Sequence, residues 1–298
     1  MKFIFPCYDA NFSLGKQSGA INGGTVYLNH LAENLRELNH EAALVENGSE
    51  LPQADVIIIQ SEWYGIAGQM EKIKAYRANG TRVIVILGHF KGGVYFDPAN
   101  IDADLFVSTW RGEVVDNFKQ EVKFFPHGFC TVCDKEGSQR MGDIVWVGNN
   151  YPLRDENWLE GLDLTRISGV MPEELGKMYR GAEICPNIHG KFQMGEVSKD
   201  PSTLADVPGF AVNERLFHIT GSGGFQIADN NPQIKEFFKD DELETASCKE
   251  EFHEKIKFYL NNPDSKQSFI KKGRARVMKD HTYKLRIDQL LEWVSSIC

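Results

Sequence analysis

Short apolar runs rich in β-branched and aromatic residues alternate with stretches of helical period from the start of the chain: Phe3 to Phe5, Val56 to Ile59, Val83 to Leu87, Leu105 to Val107 and Val122 to Phe125. Strands separated by helices are too far apart in sequence for tight hairpins, so they pair in parallel and the helices cover the sheet. Between them Leu28, Leu31, Ala32, Leu35 and Leu38 recur at helical spacing, as do Ile66, Met70 and Ile73 before a stop near Gly80. These positions are the expected core.

After a polar stretch from Asp134 to Gly142 the pattern restarts with a strand, Ile144 to Val147, ending at Gly148. A helix opened by Pro172, a short strand near Ile184, a helix beginning near Asn213, a strand from Phe225 to Ala228 and a helical tail from Lys249 follow. The expected fold is α/β, with two Rossmann-like domains facing each other across a cleft: 1–138 as the N-terminal domain and 139–298 as the C-terminal one. A length of 298 residues suits two domains of about 150 residues each.

Composition then narrows the function. A net charge of −9 disfavours a surface that adheres as a whole to nucleic acid or anionic lipid. No apolar run reaches the roughly 18 residues of a membrane span, so the cytoplasm is the expected location. Six cysteines scattered over a long chain read most simply as reduced thiols. Cys130-Thr-Val-Cys133 could hold zinc or carry redox chemistry, but no second pair completes a four-ligand site. The acidic cluster Asp240, Asp241, Glu242 and Glu244 reads as a solvated loop.

In an open α/β sheet ligands bind beyond the carboxyl ends of the strands, which makes the loops there informative. The first of these is rich in Gly, Ser and Asn and ends in Gly23-Gly24 directly before a helix, where free amides can meet an anion or a sugar hydroxyl. It lacks the spaced glycines of a dinucleotide site, and the chain has no P-loop. His89 follows the strand ending at Leu87 and Glu62 follows the strand ending at Ile59; both are candidate proton-transfer or hydroxyl-binding groups.

The densest constellation lies in the second half: Asn187-Ile-His189, then Asn213, Glu214, Arg215 and His218 running into Gly223-Gly224. A helix N-terminus beside a guanidinium suits a diphosphate, because dipole and planar fork both favour phosphate oxygens. A structural ion pair is the plainer alternative for Arg215. Arg154, just beyond Gly148, could add a second charge.

Taken together these residues resemble the group 1 glycosyltransferases of the GT-B fold, in particular the branch with bacterial spore-maturation-type enzymes. The likeness covers nearly the whole chain. Gly23-Gly24, Leu31-Ala-Glu-Asn-Leu35 and Asn39-His40-Glu41 are similar to the family's glycine loop, its first helix and the lead into its second strand. Asp55-Val-Ile-Ile, Asp104-Leu-Phe-Val-Ser108, Phe125-Pro-His-Gly128 and Trp146-Val-Gly148 follow in the family's order. The most specific match is Asn213-x-Arg215-x-Phe217 through Gly223-Gly224-Phe225, with Gly273-Arg-Ala-Arg-Val277 and His281-Thr-Tyr-x-x-Arg286 after it. The paired glutamates that many members use for donor sugar and ribose are not evident, since His218 stands where the second would fall and Phe210 near the first. Asp102-Ala-Asp104 precedes a strand instead of closing one, unlike a metal-binding D-x-D.

The resemblance implies transfer of a hexose-type sugar from a nucleoside-diphosphate sugar, UDP-linked, to an acceptor that could be a glycan, a small molecule or modified DNA. It implies retention of configuration, no required metal or other cofactor, and Arg215, His89 and Glu62 as catalytic residues. The donor would be held by Gly23, Gly24, Gly148, Arg154, Asn187, His189, Asn213, Glu214, Arg215 and His218. One rival is a phage-type glycosyltransferase of DNA bases, for which Lys271, Lys272, Arg274, Arg276, Lys279, Lys284 and Arg286 would hold the duplex. That basic stretch reads equally as a solvated helical face. A second rival is a non-catalytic sugar- or nucleotide-binding protein of the same fold.

Overall fold

The structure, a computed structural model, describes residues 1–7, 9–13, 23–46, 49–60, 70–87, 102–109, 120–148, 156–189 and 211–297. The chain forms two compact units. One spans Met1–Pro126 and takes in Lys284–Cys298; the other spans His127–Phe192 and Leu204–Tyr283.

In the first unit the elements are β1 (Lys2–Cys7), α1 (Gly23–Glu37), β2 (Glu41–Glu46), β3 (Val56–Gln60), α2 (Met70–Ala78), β4 (Arg82–Leu87), β5 (Leu105–Ser108) and β6 (Val122–Phe124). The strands pair in parallel in the order β2-β1-β3-β4-β5-β6. β3 is buried at every position, as expected for a central strand covered on both faces. Ile57, Ile59, Val83, Val85, Leu87 and Phe106 form one core layer, with Ile73 of α2 packed into it. The Asp102-Ala-Asp104 pair has a structural place. Asp104 accepts the Val83 amide at 2.8 Å and pairs with Arg77 at 2.8 Å, and Arg77 also pairs with Asp102.

The second unit holds β7 (Ile144–Val147), β8 (Leu164–Ile167), α3 (Pro172–Gly181), β9 (Cys185–Asn187), α4 (Arg215–Ser222), β10 (Gln226–Asp229), α5 (Ile234–Phe237), β11 (Glu244–Ala246), α6 (Lys249–Asn261) and α7 (Gln267–Asp280). A last helix, α8 (Tyr283–Ser296), starts here, and from Lys284 its residues belong to the first unit. β7 pairs with β8, and β9, β10 and β11 pair in turn, all in parallel. A parallel bridge between Ile144 and Ile184, with Val145 N donating to Ile184 O at 3.0 Å, joins the two sets. The spatial order is therefore β8-β7-β9-β10-β11, and the order of winding reverses between β7 and β9. Alternate residues of β7 face opposite layers: Ile144 and Trp146 pack with Phe252 and Ile256 of α6, Val145 and Val147 with Tyr179 of α3 and Ile219 of α4.

Candidate functional site

In a sheet wound in both directions a crevice opens outside the carboxyl ends of the two strands where the order reverses. In the second unit those are β7 and β9, and Arg215 lies at their ends. Its Nη1 is 3.4 Å from Val147 O and its Nη2 donates to Ile188 O at 3.0 Å. The guanidinium carbon sits 4.3 Å from the centroid of the buried Trp146 ring, within the range of a cation–π contact.

The placement of Arg215 follows from a ring of amide side chains. Asn213 Oδ1 accepts the Leu216 amide at 3.2 Å, which caps α4, and Asn213 Nδ2 donates to Asn187 Oδ1 at 2.8 Å. Asn187 Nδ2 donates to Gln226 Oε1 at 2.9 Å, and Gln226 Nε2 returns to α4 by donating to Leu216 O at 2.8 Å and to Thr220 Oγ1. Asn187 and Gln226 are buried, so each of these bonds satisfies a group that would otherwise be costly to desolvate. The start of α4 is thereby tied to β9 and β10. The Leu216, Phe217 and His218 amides are engaged within the first turn itself, by Asn213 and Glu214. The charge offered to a ligand there is consequently that of the Arg215 side chain more than that of open amides.

Two glycines set the backbone around this point. Gly148, directly after β7, has φ 147°, a region that side-chain-bearing residues rarely adopt, and its amide donates to Ile167 O at 2.9 Å. Gly223 closes α4 at φ 91°, so the glycine run after α4 is a helix C-cap.

His189 stands two residues past β9. Its main-chain amide donates to Asp229 Oδ1 at 3.1 Å and its Nδ1 contacts the same oxygen. Its Nε2 is buried without a hydrogen-bond partner among the described residues. Gly148, Asn187, His189, Asn213 and Arg215 are thus gathered at or beside the ends of β7, β9 and β10. Glu214 and His218 take a different direction. Glu214 accepts from the Tyr283 hydroxyl, and the His218 ring lies 3.6 Å from Glu214 Oε1 and packs edge-on to Phe129. Gly23 and Gly24 form the first turn of α1 in the other unit. Glu62, His89 and Arg154 lie outside the described residues.

Burial raises the pKa of the Cys185 thiol, on β9 beneath the site, to about 12, so it is not a nucleophile near neutral pH. Cys130 and Cys133 are buried and not joined in a disulfide. The basic stretch is largely engaged: Lys272 with Asp241, Arg276 with Glu242 and Asp280, Lys284 with Asp288, and Arg286 Nε with Pro126 O. Among the described residues no helix is long and apolar enough to cross a membrane.

Trp146, Gln226 and Asp229 were not expected at the site from the sequence. Gln226 carried a usable signal, as a lone amide inside an apolar strand needs a partner, and Asp229 carried another, as a carboxylate closing a parallel strand.

A family model described as "Glycosyl transferase-like" matches residues 133–292, more than half of the chain. No curated protein sequence matches. Among solved structures, sucrose-phosphate synthase from Thermosynechococcus elongatus is similar with a TM-score of 0.63 at 12% identity, over 100% of this chain and 99% of that one. Anabaena HepE in complex with UDP-glucose gives 0.63 at 10%, over 99% and 100%. A mutant of T4 phage BGT in complex with UDP-glucose gives 0.65 at 10%, over 99% and 98%. At these identities the likeness is one of fold.

Proposed function

Because the chain belongs to the glycosyl transferase-like family, and is a glycosyltransferase of GT-B fold, we propose that it transfers a hexose-type sugar from a UDP-linked donor, with retention of configuration and without a required metal, and that the donor's diphosphate binds at Arg215. The observation that carries this reading is the position of the Arg215 guanidinium at the carboxyl ends of β7 and β9, where the winding of the second unit reverses. The UDP-glucose complexes of the structurally similar HepE and BGT support the choice of donor.

Transfer builds positive charge on the anomeric carbon and negative charge on the departing diphosphate. A cation already fixed where that negative charge grows stabilises the transition state without reorganising. Arg215 would fill that role, with Arg154 as a second cation. Gly148 would let the backbone approach the ligand, Asn187 and Asn213 would hold Arg215's helix in place, and His189 would touch the donor. Glu214 and His218 would support the same helix from its other side. Gly23 and Gly24 would contact the donor, His89 would position the donor sugar or a reacting hydroxyl, and Glu62 is the candidate carboxylate. The acceptor is a glycan, a small molecule or modified DNA. The engaged state of Lys272, Arg276 and Lys284 supports a solvated helical face over a duplex-binding one.

Arg215→Ala should lower turnover of UDP-sugar, assayed in chelator as donor hydrolysis or transfer, by about 10²–10³-fold, ~2.7–4 kcal/mol of transition-state stabilisation. Unfolding temperature should stay close to that of the unaltered chain. Near-normal turnover would remove Arg215 from the mechanism, and activity restored only by a divalent cation would remove the metal-independent reading.

A further inference from the structure

Asp229 closes β10 and His189 lies just past β9, so the two side chains meet at the same end of the sheet as Arg215. Ile188, whose carbonyl receives the Arg215 guanidinium, immediately precedes His189. A carboxylate can only accept hydrogen bonds, so the contact between Asp229 Oδ1 and His189 Nδ1 requires the proton on Nδ1. The His189 main-chain amide donates to that same oxygen at 3.1 Å, which fixes the ring against the strand ends. The neutral ring then carries a lone pair, and no hydrogen, on Nε2. That atom is buried without a partner among the described residues, in a side chain with only 2% of its surface exposed. A buried acceptor left empty is destabilising, and it persists at functional sites where a ligand supplies the missing hydrogen.

We propose that His189 is a hydroxyl-recognising residue of the donor site and that Asp229 is its positioning residue: Asp229 holds the tautomer in which Nε2 accepts a hydrogen bond from a ligand hydroxyl. The inference rests on the donor reading above and adds the chemistry recognised. A phosphate oxygen has no hydrogen to give to Nε2, and the hydroxyls of the ribose and of the sugar are the donor's most numerous hydrogen-bond donors; recognition of the uracil N3–H instead would leave every deoxygenated comparison flat. This supplies a hydroxyl acceptor in a chain where His218 stands in place of the family's second glutamate.

Calorimetric titration of the full chain separates the two sources. UDP is compared with 2′- and 3′-deoxy-UDP for the ribose, and UDP-glucose with its singly deoxygenated sugars for the hexose. One of these comparisons should show a preference of about tenfold for the hydroxylated ligand, and His189→Phe and Asp229→Ala should both reduce it to near onefold. Asp229→Ala removes the acceptor of the Nδ1 proton, so the ring is no longer held in the tautomer that leaves Nε2 bare. Long-range ¹H–¹⁵N spectra of the unliganded chain should accordingly show Nδ1 protonated in the unaltered protein and protonation at Nε2 in Asp229→Ala. A preference unchanged in both variants, or absent from every comparison, overturns the inference while leaving the donor reading intact. An Nε2-protonated ring in the unaltered chain overturns it even if neither variant folds. Failure of the unaltered chain to bind any UDP ligand defeats the donor reading and this inference with it.

Discussion

The contacts of Arg215 with Val147 O, Ile188 O and the Trp146 ring hold the guanidinium at the ends of β7 and β9. The position of Arg215 at the start of a helix, ahead of a glycine turn and a strand, was legible in the sequence. Trp146 was not, since an indole in an apolar strand reads as core, and it is core as well as platform. Gly148 belongs to the same scale. At φ 147° a side chain is strained, so Gly148→Ala should destabilise the fold by about 1–3 kcal/mol in denaturant titration and weaken donor binding with it. Unchanged stability would mean that the turn after β7 tolerates a different path.

α4 is short, and its eight residues would not hold a helix in isolation. Its buried residues and the amide ring through Asn213, Asn187 and Gln226 give it a fixed seat against β9 and β10. Gln226→Leu removes the acceptor of Asn187 Nδ2 and a donor to Leu216 O. Loss of about 1–3 kcal/mol of stability is expected, together with weaker UDP binding, both read by denaturant titration and calorimetry. Full affinity at reduced stability would show that the ring supports the fold without setting Arg215. At this scale β1, β3, β4, β5 and β7 were readable because each is a run of apolar, β-branched or aromatic residues. Three strands were poorly marked. β2 (Glu41–Glu46) was signalled only by family likeness at its start and has two alanines, a leucine and a valine between two glutamates, with the charged ends common on a sheet edge. β8 (Leu164–Ile167) carries an exposed arginine, and β11 (Glu244–Ala246) is three residues inside an acidic stretch that reads as loop. Their places depend on the neighbour each pairs with, which a local pattern does not encode.

For the whole chain, alternating strands and helices were enough to give two parallel α/β units, since long crossovers leave little choice of topology. The return of the chain into the first unit from Lys284 was not legible, because an amphipathic helix does not name the surface it packs on. Family membership and fold identify a glycosyltransferase, whereas donor, acceptor and stereochemistry depend on side chains at the strand ends. The most direct measurement is a crystal structure of the chain with UDP. A diphosphate oxygen within about 3 Å of the Arg215 guanidinium, at the ends of β7 and β9, is the expected result. A diphosphate bound elsewhere, with Arg215 still on Val147 O and Ile188 O and no ligand beside it, would contradict it.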